Sequence, residues 1–157
     1  MQKNVSMKYA AALLLTGAVF TACNVSNSNQ TAIPLIGTWQ LISATATERD
    51  STYSTFHPNR QMIKIISKTH FAFFSHDLNQ GKDSTTASFI AGGGTCILAD
   101  SVYTEHLEYF IDRAWEGHQF QFVVKIHNDT LTQSGVEKIE KLGIDRAIVE
   151  KYVRVKE

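Results

Sequence analysis

A surplus of charge of either sign is missing from this 157-residue sequence, in which 15 lysines and arginines balance 15 aspartates and glutamates. Without a basic stripe to neutralise phosphates, there is no general electrostatic pull toward nucleic acid. Metal-ligand patterns are missing too. There are two cysteines, Cys23 and Cys96, and none of the six histidines (His57, His70, His76, His106, His118 and His127) pairs at HExxH spacing, so no zinc cluster is indicated. Ser134-Gly135 lacks a Gly-x-Ser-x-Gly context, which leaves a serine nucleophile unsupported. Gly92-Gly93-Gly94 is not followed by the Lys-Ser/Thr of a phosphate loop; three glycines within a strand pattern indicate a bulge or sharp bend instead. The apolar run from Tyr9 to Phe20 is only 12 residues long, short of the ~20 that span a bilayer as a helix. What is present suits one globular domain: 43% of the residues are hydrophobic, too many for a disordered chain.

The first segment reads as a signal. Lys3 and Lys8 supply positive charge, Tyr9 to Phe20 forms the apolar stretch, and Thr21-Ala22 places small residues before Cys23. Met7 offers a second possible start. Phe20-Thr21-Ala22-Cys23 resembles the lipobox of bacterial lipoprotein signal peptides, with Phe20 where leucine is usual. The resemblance implies removal of residues 1–22, diacylglycerol and an amide-linked acyl chain on Cys23, and a membrane anchor held by several chains. Removing Lys3 and Lys8 and no acid takes the formal charge from zero to −2 and leaves Cys96 the sole thiol besides the modified one. Residues 23–33 then form the lipidated cysteine and a polar tether. By analogy with Gram-negative lipoproteins, the lack of Asp after Cys23 implies the outer membrane. The lack of an acidic cluster implies its periplasmic face.

From residue 34 to 157, period two dominates. Phe120, Phe122, Val124 and Ile126 alternate with polar neighbours, and Asn128-Asp129 turns the chain into Thr130–Gln133. Further strands are predicted at Trp39–Ser43, Met62–Ser67, His70–Ser75, Ala87–Ala91, Thr95–Leu98, Val102–Tyr109 and Ala147–Val155. Glu108–Trp115 and Val136–Leu142 suit a turn or two of helix, and Thr45–Asn59 suits a loop over a barrel mouth. The expected fold is all-β, with about eight to nine short antiparallel strands. Successive hairpins favour an up-and-down barrel over a sandwich, because closure removes exposed edges.

Gly37-Thr38-Trp39 opening the first strand resembles the Gly-x-Trp of lipocalins, and Arg154 resembles the lipocalin arginine that packs across that tryptophan. Lys64-Ile65-Ile66-Ser67, Thr69-His70-Phe71, Gly93-Gly94-Thr95, Tyr103-Thr104-Glu105-His106 and Lys151-Tyr152-Val153-Arg154 together resemble the small lipocalin-like domains of bacterial lipoproteins. That resemblance covers nearly all of 36–156 and implies a lipocalin-like barrel. Most such domains have no established biochemical role.

If Arg154 points inward over Trp39, period two sends Tyr152 and Glu150 inward as well. On Val102–Tyr109, either Tyr103, Glu105, Leu107 and Tyr109 face inward, or Thr104, His106 and Glu108 do. The first set is the better interior mixture. Glu105 and Glu150 near Arg154 then form a charge-compensated cluster. It serves either as an internal salt-bridge network or, with aromatic walls from Trp39, Phe71, Phe73, Tyr103 and Phe122, as a site for a small hydrophobic or amphipathic ligand. Trp115 either staples a connection to the barrel or stands exposed for a partner, and Cys96 reads as a small buried hydrophobe. Three functions stay open. The chain binds a small ligand without chemistry or cofactor, or mounts loops for an envelope protein partner, or uses Glu105 or His106 for acid–base catalysis.

Overall fold

The computed structural model describes residues 33–156. Nine strands follow one another: β1 (Gly37–Glu48), β2 (Ser51–Ser54), β3 (Arg60–Ile66), β4 (His70–Asp77), β5 (Phe89–Ala99), β6 (Val102–Phe110), β7 (His118–His127), β8 (Thr130–Ile139) and β9 (Ile144–Arg154). Neighbours pair antiparallel in chain order from β3 to β9, and β1 pairs with both β3 and β9. Eight strands therefore close into an up-and-down barrel, and β2 is an addition to one edge. No α-helix occurs among the described residues; 3₁₀ turns at Arg113–Trp115 and Glu140–Leu142 are the only helical pieces.

β1 does two jobs along its length. Its first residues, Gly37–Gln40, pair with β3, while Thr45–Glu48 pair with β2 and Trp39–Thr47 line up against β9 across a bulge between Leu41 and Ser43. The expected loop at Thr45–Asn59 is corrected by this arrangement. Ala44 and Ala46 are buried, so the strand continues to Glu48 and turns at Arg49, whose φ is +54°, into the exposed hairpin strand β2. The two expected strands Ala87–Ala91 and Thr95–Leu98 are one, because the glycines between them keep pairing with β4 and β6. The expected helical turns are partly strand. Glu108–Phe110 completes β6 and Val136–Ile139 pairs with Ile144–Ala147 of β9; only the final three residues of each stretch wind into 3₁₀ turns.

The glycine run does produce a bulge. Gly93 pairs with Tyr109 and Gly94 with Leu107, leaving Glu108 as the extra residue. A Cβ on Gly94 would overlap the carbonyl oxygen of His106 and the amide of Glu108, so no other residue lets the two strands approach this closely. The bulge resets the alternation. Tyr109, expected to share the inner face of Leu107, is 69% exposed, and Phe110 turns toward the core instead.

The barrel has a closed and an open end. Three tight turns (67–69, 100–101 and 128–129) gather at the closed end with the start of β1 and the end of β9. Asn128 and Asp129 both have positive φ, the geometry whose twist suits a two-residue hairpin. Trp39 fills this end completely buried, and its indole N–H donates to the carbonyl of Leu35 at 2.8 Å. The Arg154 guanidinium lies 4.1 Å from the Trp39 ring centroid and donates to the carbonyls of Ile36 and Pro34. Cation–π attraction and charged hydrogen bonds thereby lock the chain entry beneath the barrel. Tyr103, Val124, Leu131 and Tyr152, all fully buried, complete this floor. Each such apolar side chain contributes roughly 1.5–3 kcal/mol.

Candidate functional site

Between this floor and the open end the barrel is hollow. A cavity of about 260 Å³ opens there. It falls a little under the roughly 300–1,000 Å³ of sites for drug-sized ligands.

Much of the cavity wall is aromatic. Phe73 on β4, Phe110 at the end of β6, Trp115 in the β6–β7 connection and Phe120 and Phe122 on β7 all face it, as do Leu107 on β6 and Ile148 on β9. The rings touch in series: Phe73 to Phe110 at 5.8 Å, Phe110 to Trp115 edge-on at 6.0 Å, and Trp115 to Phe120 at 6.1 Å. Offset and edge contacts of this kind are the favoured aromatic geometries. Trp115 is thus the staple that fastens its connection to the barrel. The connection is fixed further by Glu116, whose carboxylate accepts from the Phe110 amide at 2.9 Å and from Arg113.

Charged side chains stand among these rings: Lys64 is the cross-strand neighbour of Phe73, and Glu105 that of Phe120. The Lys64 ammonium reaches across from β3 to Glu105 on β6 at 2.8 Å and to the Gln133 side-chain oxygen at 3.3 Å. It also sits 5.5 Å from the Tyr152 ring and 5.8 Å from Phe71. Burial works against its charge, but the carboxylates of Glu105, Glu150 and Glu137 outweigh burial and hold its pKa above the ordinary lysine value. Burial pushes Glu105 above the usual carboxylate range, with Lys64 opposing. Nearer the mouth, Arg146 on β9 donates to its cross-strand neighbour Glu137 on β8 at 2.7 Å, and stacks 5.7 Å from the Trp115 ring. Glu137 too is raised by burial, with Arg146 opposing. Glu150 accepts a hydrogen bond from the Tyr152 hydroxyl at 2.6 Å. Two residues from Glu105 on β6, the Tyr103 hydroxyl is buried without a hydrogen-bond partner among the described residues. Burial and the nearby Glu105 charge make that phenol very hard to ionise.

Of the expected site residues, Phe73, Glu105, Phe122 and Glu150 line the cavity. Trp39, Phe71, Tyr103 and Tyr152 point inward but belong to the packed floor. Arg154 is corrected. It does not compensate Glu105 and Glu150, because it lies at the closed end, four residues beyond Glu150 or ~13 Å along an extended strand. Lys64, unassigned by sequence reasoning, pairs with Glu105 instead. Gln133, Glu137, Arg146 and Phe110 were also missed. The Glu137–Arg146 pair becomes visible only once β8 and β9 are in register. His106 stands outside the barrel, where its ring faces Glu108 at 3.4 Å and Thr95 donates to the same carboxylate. Cys96 is buried, with a free thiol whose pKa burial raises. Cys23 and the whole expected signal lie outside the described residues.

No curated protein matches the chain. One family model does, over residues 34–157, which run from just before the barrel through its last strand, and by that match the chain belongs to the family described as a domain of unknown function, DUF4488.

Proposed function

We propose that this is a lipid-anchored, lipocalin-like protein of the cell envelope that binds a small amphipathic molecule in the open half of its barrel and does no chemistry on it. The observation that carries the reading is the mixed cavity, in which aromatic rings and five ionisable side chains line one space. Apolar walls with a few convergent polar groups are the usual make-up of a small-molecule site. The limited volume favours a compact ligand over a long acyl chain. Binding without catalysis is supported by the state of the acid–base candidates: Glu105 is engaged by Lys64, and His106 looks outward. The anchor at Cys23 and a periplasm-facing outer-membrane address rest on the lipobox-like residues 20–23.

A second reading, a mount for an envelope protein, draws on a groove of about 600 Å³ on the outer face of β4–β6. It is floored by Gly92–Gly94 and flanked by the exposed side chains of Phe74, Phe89, Tyr109 and Ile111. Native mass spectrometry on the purified full-length chain separates the two. A stoichiometric small molecule released on denaturation is expected from a binding barrel. A chain that is empty and retains no small molecule from an envelope extract would turn attention to the outer groove. The anchor is tested separately: Cys23→Ala should release the protein from membranes, and retention there would contradict lipidation.

A further inference from the structure

The charges inside the cavity do not balance. Three carboxylates (Glu105, Glu137, Glu150) face two cations (Lys64, Arg146). Each cation is already committed, Lys64 to Glu105 at 2.8 Å and Arg146 to Glu137 at 2.7 Å. Glu150 is left with the Tyr152 hydroxyl and no ion pair among the described residues. A carboxylate that lines a low-dielectric cavity with a single neutral donor is poorly compensated once water is displaced. The same cavity is lined by Phe73, Phe110 and Trp115, whose π faces attract positive charge; Trp115 already meets Arg146, which leaves Phe73 and Phe110.

Resting on the binding reading above, we infer that the cavity selects a small organic monocation: an amine whose ammonium group meets Glu150 and whose aromatic or alkyl body lies against Phe73 and Phe110. An anionic ligand would meet three carboxylates and two cations with prior partners. A neutral one would leave Glu150 without a direct ion pair. A bare metal ion is not favoured, because among the described residues no group of three or more ligating side chains is gathered, and the remaining walls are apolar.

Titration calorimetry of the full-length chain with 2-phenylethylamine, 2-phenylethanol and phenylacetate tests this. The three probes share a body and differ in charge. The amine should bind about tenfold more tightly than the alcohol, with phenylacetate weakest, as expected for a desolvated charge pair. Glu150→Gln, which keeps an acceptor for Tyr152, should remove the amine's advantage and leave the alcohol's affinity unchanged. Should that variant fail to fold, the ranking on the unaltered chain still decides. An alcohol or phenylacetate that binds as tightly as the amine overturns the cation preference while the binding reading survives. So does a neutral or anionic molecule released from the purified protein. If no probe binds and native mass spectrometry finds the chain empty, the binding reading falls and this inference with it.

Discussion

Lys64 on β3 and Glu105 on β6, 41 positions apart in the sequence, meet at 2.8 Å inside the barrel with 4% and 9% of their side chains exposed. A lysine in the middle of a strand, between Ile63 and Ile65, is thereby drawn inward by charge, and its hydrophobic neighbours are pushed outward. The pair fixes the facing of two strands on opposite sides of the cavity and leaves Glu150 as the carboxylate without a cation.

Removing one partner of a buried pair leaves the other charge stranded. Lys64→Met should cost about 3–5 kcal/mol of stability, read as a lower denaturation midpoint in urea. The double change Lys64→Met with Glu105→Leu should recover most of that loss, since two apolar groups replace two desolvated charges. A double variant no better than the single one would show that the pair is not the unit described.

The same pair sets a pH dependence. Because burial raises the folded pKa of Glu105, the native state holds that proton to higher pH than the unfolded chain. The stability this contributes is fully present below the ordinary value of 4.5 and is lost as pH rises through the raised one. Lys64 limits the loss, so without it the loss grows. The deficit of Lys64→Met relative to the unaltered protein should therefore be small near about pH 4 and increase toward about pH 7. Denaturant unfolding at both values checks this, and a deficit larger in acid would contradict it.

Much of the architecture was legible in the residues because hydrophobic alternation at period two is local. Phe120, Phe122, Val124 and Ile126 announce a half-buried strand, and Asn128-Asp129 announces its turn. Trp39 and Arg154 were recognisable as the closed end. What stayed hidden depends on register between distant strands. The Leu107–Tyr109 slip needs the Gly93–Gly94 bulge on the neighbouring strand. Glu137 meets Arg146 only across β8–β9. Lys64 reads as a surface residue in Lys-Ile-Ile until Glu105 and Gln133 are brought opposite it. The cavity's polar groups are held mainly by such long-range partners, and so they were less visible than the barrel itself.

Arg154 belongs to the floor and not to the cavity. Arg154→Ala should destabilise the barrel by about 1–3 kcal/mol, through lost cation–π attraction and charged hydrogen bonds, while leaving the affinity for cavity ligands unchanged. Thermal unfolding and calorimetry on one preparation measure both. Weakened binding at undiminished stability would move Arg154 into the site.

Glu116 holds the connection that carries Trp115. The Phe110 amide and then the Arg113 guanidinium keep its carboxyl below the usual range. Its contribution is therefore present above the ordinary value of 4.5 and is lost as pH falls through the depressed one. In the unaltered protein the Trp115 indole resonance should move on acidification through that range. In Glu116→Gln it should already be displaced at neutral pH. An indole signal indifferent to both changes would mean that the rings alone hold the connection.

The most direct test of a ligand-binding cavity is methyl-resolved NMR of the full-length chain during titration with 2-phenylethylamine or with the molecule released from the native protein. Shifts confined to Met62, Leu107 and Ile148, with Leu35, Val124 and Leu131 of the floor unmoved, are expected if the open half of the barrel receives the ligand. Shifts restricted to Ile111 and the outer face, or none at all, would contradict it.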